Sequence, residues 1–87
     1  MEYTVYEAAK GRGGMIIELF CKVPNDKWGY DYEEFIRDKW VENEDARAVF
    51  FGYGTCTFRV SAEEAKDFVD AMRNGTIEEY YKKFEND

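Results

Sequence analysis

Residues 15–23, Met-Ile-Ile-Glu-Leu-Phe-Cys-Lys-Val, alternate with a period of two. Met15, Ile17, Leu19, Cys21 and Val23 fall on one face, and Ile16, Glu18, Phe20 and Lys22 on the other. The first face is wholly apolar, so the run reads as a strand that must bury one side under another layer. Pro24 closes it, because proline donates nothing to a ladder.

The neighbouring segments supply a partner for that strand. Residues 2–9, Glu-Tyr-Thr-Val-Tyr-Glu-Ala-Ala, mix β-branched and aromatic residues and read as a second strand. Between them lies Lys10-Gly11-Arg12-Gly13-Gly14, whose glycines suit a hairpin turn with positive φ. The loop lacks both the GxGxxG order and the GxxxxGK[ST] pattern, so it does not read as a phosphate cradle.

Pro24 to Tyr30 is rich in turn formers, and Asp31 stands where a helix cap would. Glu33 and Glu34 suit a first helical turn, with Tyr32, Phe35, Ile36 and Lys39 or Trp40 sharing one helical face. This helix is expected to weaken through the polar stretch Val41 to Asp45, with a further turn over 44–48 left open. From Arg47 to Val60 the pattern returns to β. Ala48-Val49-Phe50-Phe51 and Thr55 to Val60 flank Gly52-Tyr53-Gly54, favouring two strands and a tight turn over one bulged strand.

The C-terminal segment reads as two helices. Ser61-Ala-Glu-Glu64 is a capping box. Ala62, Ala65, Phe68, Val69 and Met72 share a face, and Asn74-Gly75 marks the stop. Thr76 begins a second cap, followed by the stripe Ile77, Tyr80, Tyr81 and Phe84. The expected architecture is one α+β domain over residues 1–87 with elements in the order ββαββαα. Its helices pack on one face of a small, mainly antiparallel sheet in two layers.

Charge narrows the function. Residues 1–30 are balanced, and residues 31–87 carry the whole net charge of -7. A field of this sign repels phosphate backbones and anionic membranes and favours a basic partner. The density peaks at residues 31–45, where Asp31, Glu33, Glu34, Asp38, Glu42, Glu44 and Asp45 stand against two bases. A second patch comprises Glu63, Glu64, Asp67, Asp70, Glu78 and Glu79.

Histidine is absent, which removes the usual acid–base group at neutral pH and the commonest metal ligand. Cys21 and Cys56 match no zinc spacing and read as buried, reduced thiols. The expectation is therefore a non-enzymatic protein with no cofactor and no metal. No apolar run approaches a membrane span, and Met1-Glu2-Tyr3 does not open a signal peptide, so the expected location is the cytoplasm.

Carboxylates along an element can approximate the spacing of phosphates and occupy a basic groove built for nucleic acid. Small acidic proteins that inhibit nucleic-acid enzymes work this way, phage-encoded inhibitors of host defence such as anti-CRISPRs among them. The analogy rests on size and charge, and no motif ties this chain to them. The expected interaction residues are the seven acids of 31–45 with Trp28 and Tyr53 as aromatic anchors, on a basic protein surface such as that of a nucleic-acid-binding protein. The alternative is an accessory subunit or homodimer held by exposed aromatics, including Tyr30, Trp40 and Tyr81.

Overall fold

The glycine turn produces the hairpin that the sequence leads one to expect, but with a slipped register. In the computed structural model, which describes residues 4–27, 29–52 and 56–85, β1 (Val5–Lys10) pairs antiparallel with β2 (Ile16–Pro24). Ala9 lies opposite Glu18 but Lys10 lies opposite Ile16, so Ile17 is the extra residue of a β-bulge. A bulge sets two residues against one and shifts the alternation beyond it. Ile16 therefore takes the core position that strict alternation assigns to Ile17. The former is 2% exposed and the latter 49%. Leu19 and Cys21 are buried as their spacing predicts. In the turn, Gly13 adopts φ 72°, and a Cβ there would stand 2.5 Å from the carbonyl oxygen of Phe84. Only glycine permits this approach.

The segment expected to be a helix from Asp31 is instead a second hairpin. β3 (Tyr30–Ile36) pairs with β2 on one side and with β4 (Lys39–Glu42) on the other. Arg37 and Asp38 form the connection, with Arg37 at φ 63°. The apolar residues that would share one helical face are divided by the strand. Phe35 turns to one side, where its ring meets Trp40 directly opposite at 5.2 Å. Tyr32 turns to the other side. Asp31 caps no helix; its carboxylate accepts from Asn25 Nδ2 at 2.7 Å and closes the β2–β3 loop.

Residues 47–50, read as strand, belong to α1 (Glu44–Phe50). Asn43 caps it, its Oδ1 accepting from the Ala46 N–H at 2.8 Å, and Glu44 and Asp45 lie in the first turn where the helix dipole favours them. The acids that suggested a weakening helix are thus the start of one. Of the second expected pair only β5 (Phe58–Val60) forms a strand among the described residues, and it pairs with β1. Tyr53 and Gly54 of the expected turn and Thr55, the first residue of the expected second strand, lie outside the described residues, as do Trp28 and the first residues of the expected N-terminal strand.

Among the described residues the result is a five-stranded antiparallel sheet in the order β4-β3-β2-β1-β5. The class expected from sequence holds: a small α+β domain with a mainly antiparallel sheet and helices packed against it. The element order is corrected to ββββαβαα. The helices also divide between the two faces. Leu19 joins the main core beneath α2 (Ala62–Asn74) and α3 (Ile77–Lys82), together with Ala8, Phe35, Val60, Phe68 and Tyr80. Its neighbour Phe20 points the other way, to Ala46 and Val49 of α1. The short α1 exists as a layer because β2 carries a large apolar residue on each side at that point.

Of the two C-terminal caps expected, the first forms as read and the second does not. Ser61 and Glu64 exchange both capping-box hydrogen bonds, at 3.0 and 3.1 Å, and Gly75 ends α2 at φ 73°. Thr76 makes no side-chain cap; its N–H donates to the Ala71 carbonyl. The closing contact is Tyr80. Its ring packs between Phe68, Tyr81 and Phe84, and its hydroxyl accepts the Ile16 N–H at 3.1 Å.

Two outcomes follow from this packing. In urea denaturation, Ile16→Ala is expected to lose about 2–5 kcal/mol, whereas Ile17→Ala stays within about 0.5 kcal/mol of the parent. Equal losses would place the bulge elsewhere. Tyr80→Phe keeps the ring but leaves a buried N–H without its acceptor, and is expected to cost about 1–3 kcal/mol in the same assay.

Candidate protein-binding groove

β4 accompanies β3 only from Ile36↔Lys39 to Glu33↔Glu42, after which the chain leaves the sheet through Asn43 and enters α1. This departure opens a groove of about 590 Å³ between the first half of β3 and the helix. Its walls are Tyr30, Asp31 and Tyr32 from β3, Glu42, Asn43 and Glu44 from the exit, and Arg47 and Phe51 from α1 and its end. Three carboxylates face one guanidinium, so the lining is net negative.

Asn43 sets this geometry from both ends of its amide. The oxygen caps α1, and Nδ2 donates to Glu34 Oε1 at 3.1 Å, fastening the helix start to β3. On the helical side, Tyr32 meets Phe50 and Phe51 at ring distances of 5.9 and 5.6 Å. Phe51 nevertheless remains 53% exposed. Cations of the chain already lie against aromatic walls. The Arg47 guanidinium stands 5.6 Å from the Phe51 ring and Lys22 Nζ 4.3 Å from that of Tyr30.

Of the acids singled out by sequence, Asp31, Glu42 and Glu44 come together around the groove. Glu33 and Glu34 are adjacent in a strand and point to opposite faces, so they form no common patch. The first lies beside Cys21 and the second holds Asn43. Asp38 sits in the β3–β4 turn at the far end, its carbonyl accepting from Arg73 Nε at 3.1 Å. Asp45 is exposed on the first turn of α1, outside the groove. Trp28 and Tyr53 fall outside the described residues.

The sequence reading missed Tyr32, Arg47 and Phe51 as site residues because it placed them on a helical core face and in strands. The Asn43-Glu44-Asp45-Ala46 cap was the signal that could have found them. Trp40 is no free anchor, since it packs on Tyr6 and Phe35. In the second acidic patch, Asp70 pairs with Lys66 at 2.6 Å and Glu64 is held in the capping box. The Ser61 backbone hydrogen bond holds the Glu64 carboxyl below the ordinary range.

The cysteines differ from each other. Cys21 is buried and its thiol faces Glu33 Oε1 at 3.7 Å. Burial, then the charge and hydrogen bonding of Glu33, pushes this thiol up to about 12. Cys56 is exposed, contrary to the expectation of two buried thiols, because β5 begins only at Phe58. Neither is in a disulfide. Among the described residues no group of three or more Cys, Asp or Glu is arranged to hold a metal ion, and no helix is long and apolar enough to cross a membrane.

No protein-family model, curated protein or solved structure matches this chain. The groove's own chemistry therefore carries the functional reading.

One thiol, that of Cys56, is expected to react promptly with a disulfide reagent at pH 8, and the second only after denaturation. Two prompt thiols would contradict the burial of Cys21. The unfolded chain releases the Cys21 proton near 9.0, and the folded chain retains it to about 12. The associated stability is complete below pH 9 and is lost as pH rises through that window. Cys21→Ala should therefore flatten the alkaline fall seen by urea denaturation.

Proposed function

We propose that the protein is a non-enzymatic binding domain of the cytoplasm that docks a basic protein surface, with the groove between β3 and α1 at the centre of the contact. The observation that supports this is the combination of Asp31, Glu42 and Glu44 with the half-exposed ring of Phe51 in one concave site. Carboxylates on the rim steer a basic partner into contact, and a half-exposed aromatic in a groove supplies the anchor that slows its departure. The net charge of -7 opposes direct binding of nucleic acid or an anionic membrane. The partner surface that suits it best is one that otherwise holds nucleic acid, which makes the protein an inhibitor by occupation, of the anti-CRISPR kind.

A second reading has its own observation. β5 is a three-residue edge strand with Phe58 53% exposed, a feature that suits a homodimer or an accessory subunit anchored by an aromatic. Sedimentation of Phe58→Ser beside the parent separates the two: a dimer that dissociates on this change favours the edge.

The charge test uses Glu42→Lys with Glu44→Lys, both exposed. Glu33 and Glu34 are unsuitable, because one faces Cys21 and the other holds the α1 cap through Asn43. Partners captured by the parent from cells that express it should be lost by the double variant, which keeps the parent's circular dichroism. With an isolated partner, association at low salt is expected to slow by about tenfold or more. Added DNA or RNA should compete for that partner. An unchanged association rate and salt dependence would reduce the acids to a solvated surface.

A further inference from the structure

The groove joins aromatic walls to its charge, and the inference from this rests on the reading of a basic partner. Three properties coincide in one cavity. The walls carry aromatic faces from Tyr30, Tyr32 and Phe51. Carboxylates of Asp31, Glu42 and Glu44 stand beside them. The chain's own guanidinium, from Arg47, already lies in the lining over the Phe51 ring at 5.6 Å. A volume of about 590 Å³ leaves room for further side chains.

We infer that the groove is a cleft for arginine side chains of a basic partner protein, bound by stacking on Phe51 and Tyr32 and by pairing with Glu42 and Glu44. The guanidinium suits both demands. It is planar and weakly hydrated, so it stacks on a ring while its edge offers a fork of N–H donors to a carboxylate. An ammonium is compact and strongly hydrated, and a groove with aromatic walls returns less of its hydration. Arg47 is then an internal stand-in: it satisfies part of the cleft in the free protein and competes with the incoming side chain. Charge complementarity fixes the occupant as cationic. Lys22 already covers the Tyr30 ring, and the Phe51 face beside the carboxylates of Glu42 and Glu44 favours arginine, whose plane stacks while its edge pairs.

The test uses two capped six-residue peptides of equal charge, Arg-Ser-Arg-Ser-Arg-Ser and Lys-Ser-Lys-Ser-Lys-Ser, titrated into the isotopically labelled full chain at low salt and followed by amide chemical shifts. The arginine peptide is expected to perturb residues 30–32, 42–44, 47 and 51 and to bind about three- to fivefold more tightly than the lysine peptide, the ratio that one stacking contact supplies. Phe51→Leu, at a half-exposed position, should bring the two affinities together while leaving the spectrum otherwise folded. Arg47→Gln should tighten both peptides by removing the competitor. Equal affinity of the two peptides for the parent, or shifts centred on α2, overturns the arginine cleft and leaves the basic-partner reading standing. Binding of neither peptide overturns both. No gain in Arg47→Gln overturns the role of Arg47 as a stand-in.

Discussion

The bulge at Ile17 and the Tyr80 hydroxyl form a single joint on which the two layers of the main core depend. The bulge turns Ile16 inward, and the Ile16 N–H donates to Tyr80 from α3. A buried N–H without an acceptor costs more than an ordinary hydrogen bond contributes, so the position of α3 is set by a polar demand as well as by apolar burial. Burial raises the Tyr80 hydroxyl above the usual range, and the Ile16 N–H opposes that shift in part. Around this joint Phe68, Tyr81 and Phe84 close on the same ring. Gly13 holds the β1–β2 turn against the Phe84 carbonyl on the same side of the molecule.

The opposite face is built on a smaller scale. Phe20 and Tyr32 present apolar surface that the C-terminal helices cannot reach, and the seven residues of α1 cover it. A helix this short has little intrinsic stability. It persists because Asn43 binds its first turn and β3 at once, and because Val49 and Phe50 pack on the sheet. The groove is the geometric remainder of that solution. The chain quits β4 one residue before α1 starts, so the leading part of β3 and the acids of the exit come to border the same space.

Legibility in the sequence follows how local the deciding interaction is. The capping box at Ser61, the stop at Gly75 and the glycine turn are decided within a few residues, and each appears as read. Residues 31–42 were decided at longer range. Tyr32, Phe35 and Ile36 fit a helical face as well as a strand, and the Arg37-Asp38 turn carries none of the usual hairpin glycine or asparagine. The ladder to β2 and the Phe35–Trp40 pair settle the matter, and neither is visible within a window of one turn. The site followed the same rule. Its acids were evident from composition, but the aromatic walls emerge only once α1 exists. The bulge also deceives, since a single extra residue moves Ile16 and Ile17 to each other's expected sides.

The Ile16–Tyr80 bond spans 64 residues of sequence. Loop closure of that length must be met before the contact repays it, so the joint depends on residues far apart in the chain. In a chain made from its N-terminus, Ile16 and Leu19 are synthesised before the residues of α2 and α3 that cover them. Until those residues follow, Ile16 and Leu19 have no covering layer, and apolar surface of that kind is what chaperones hold. The order of synthesis thus places the covered strand before its cover, and the Ile16–Tyr80 bond is where the two meet.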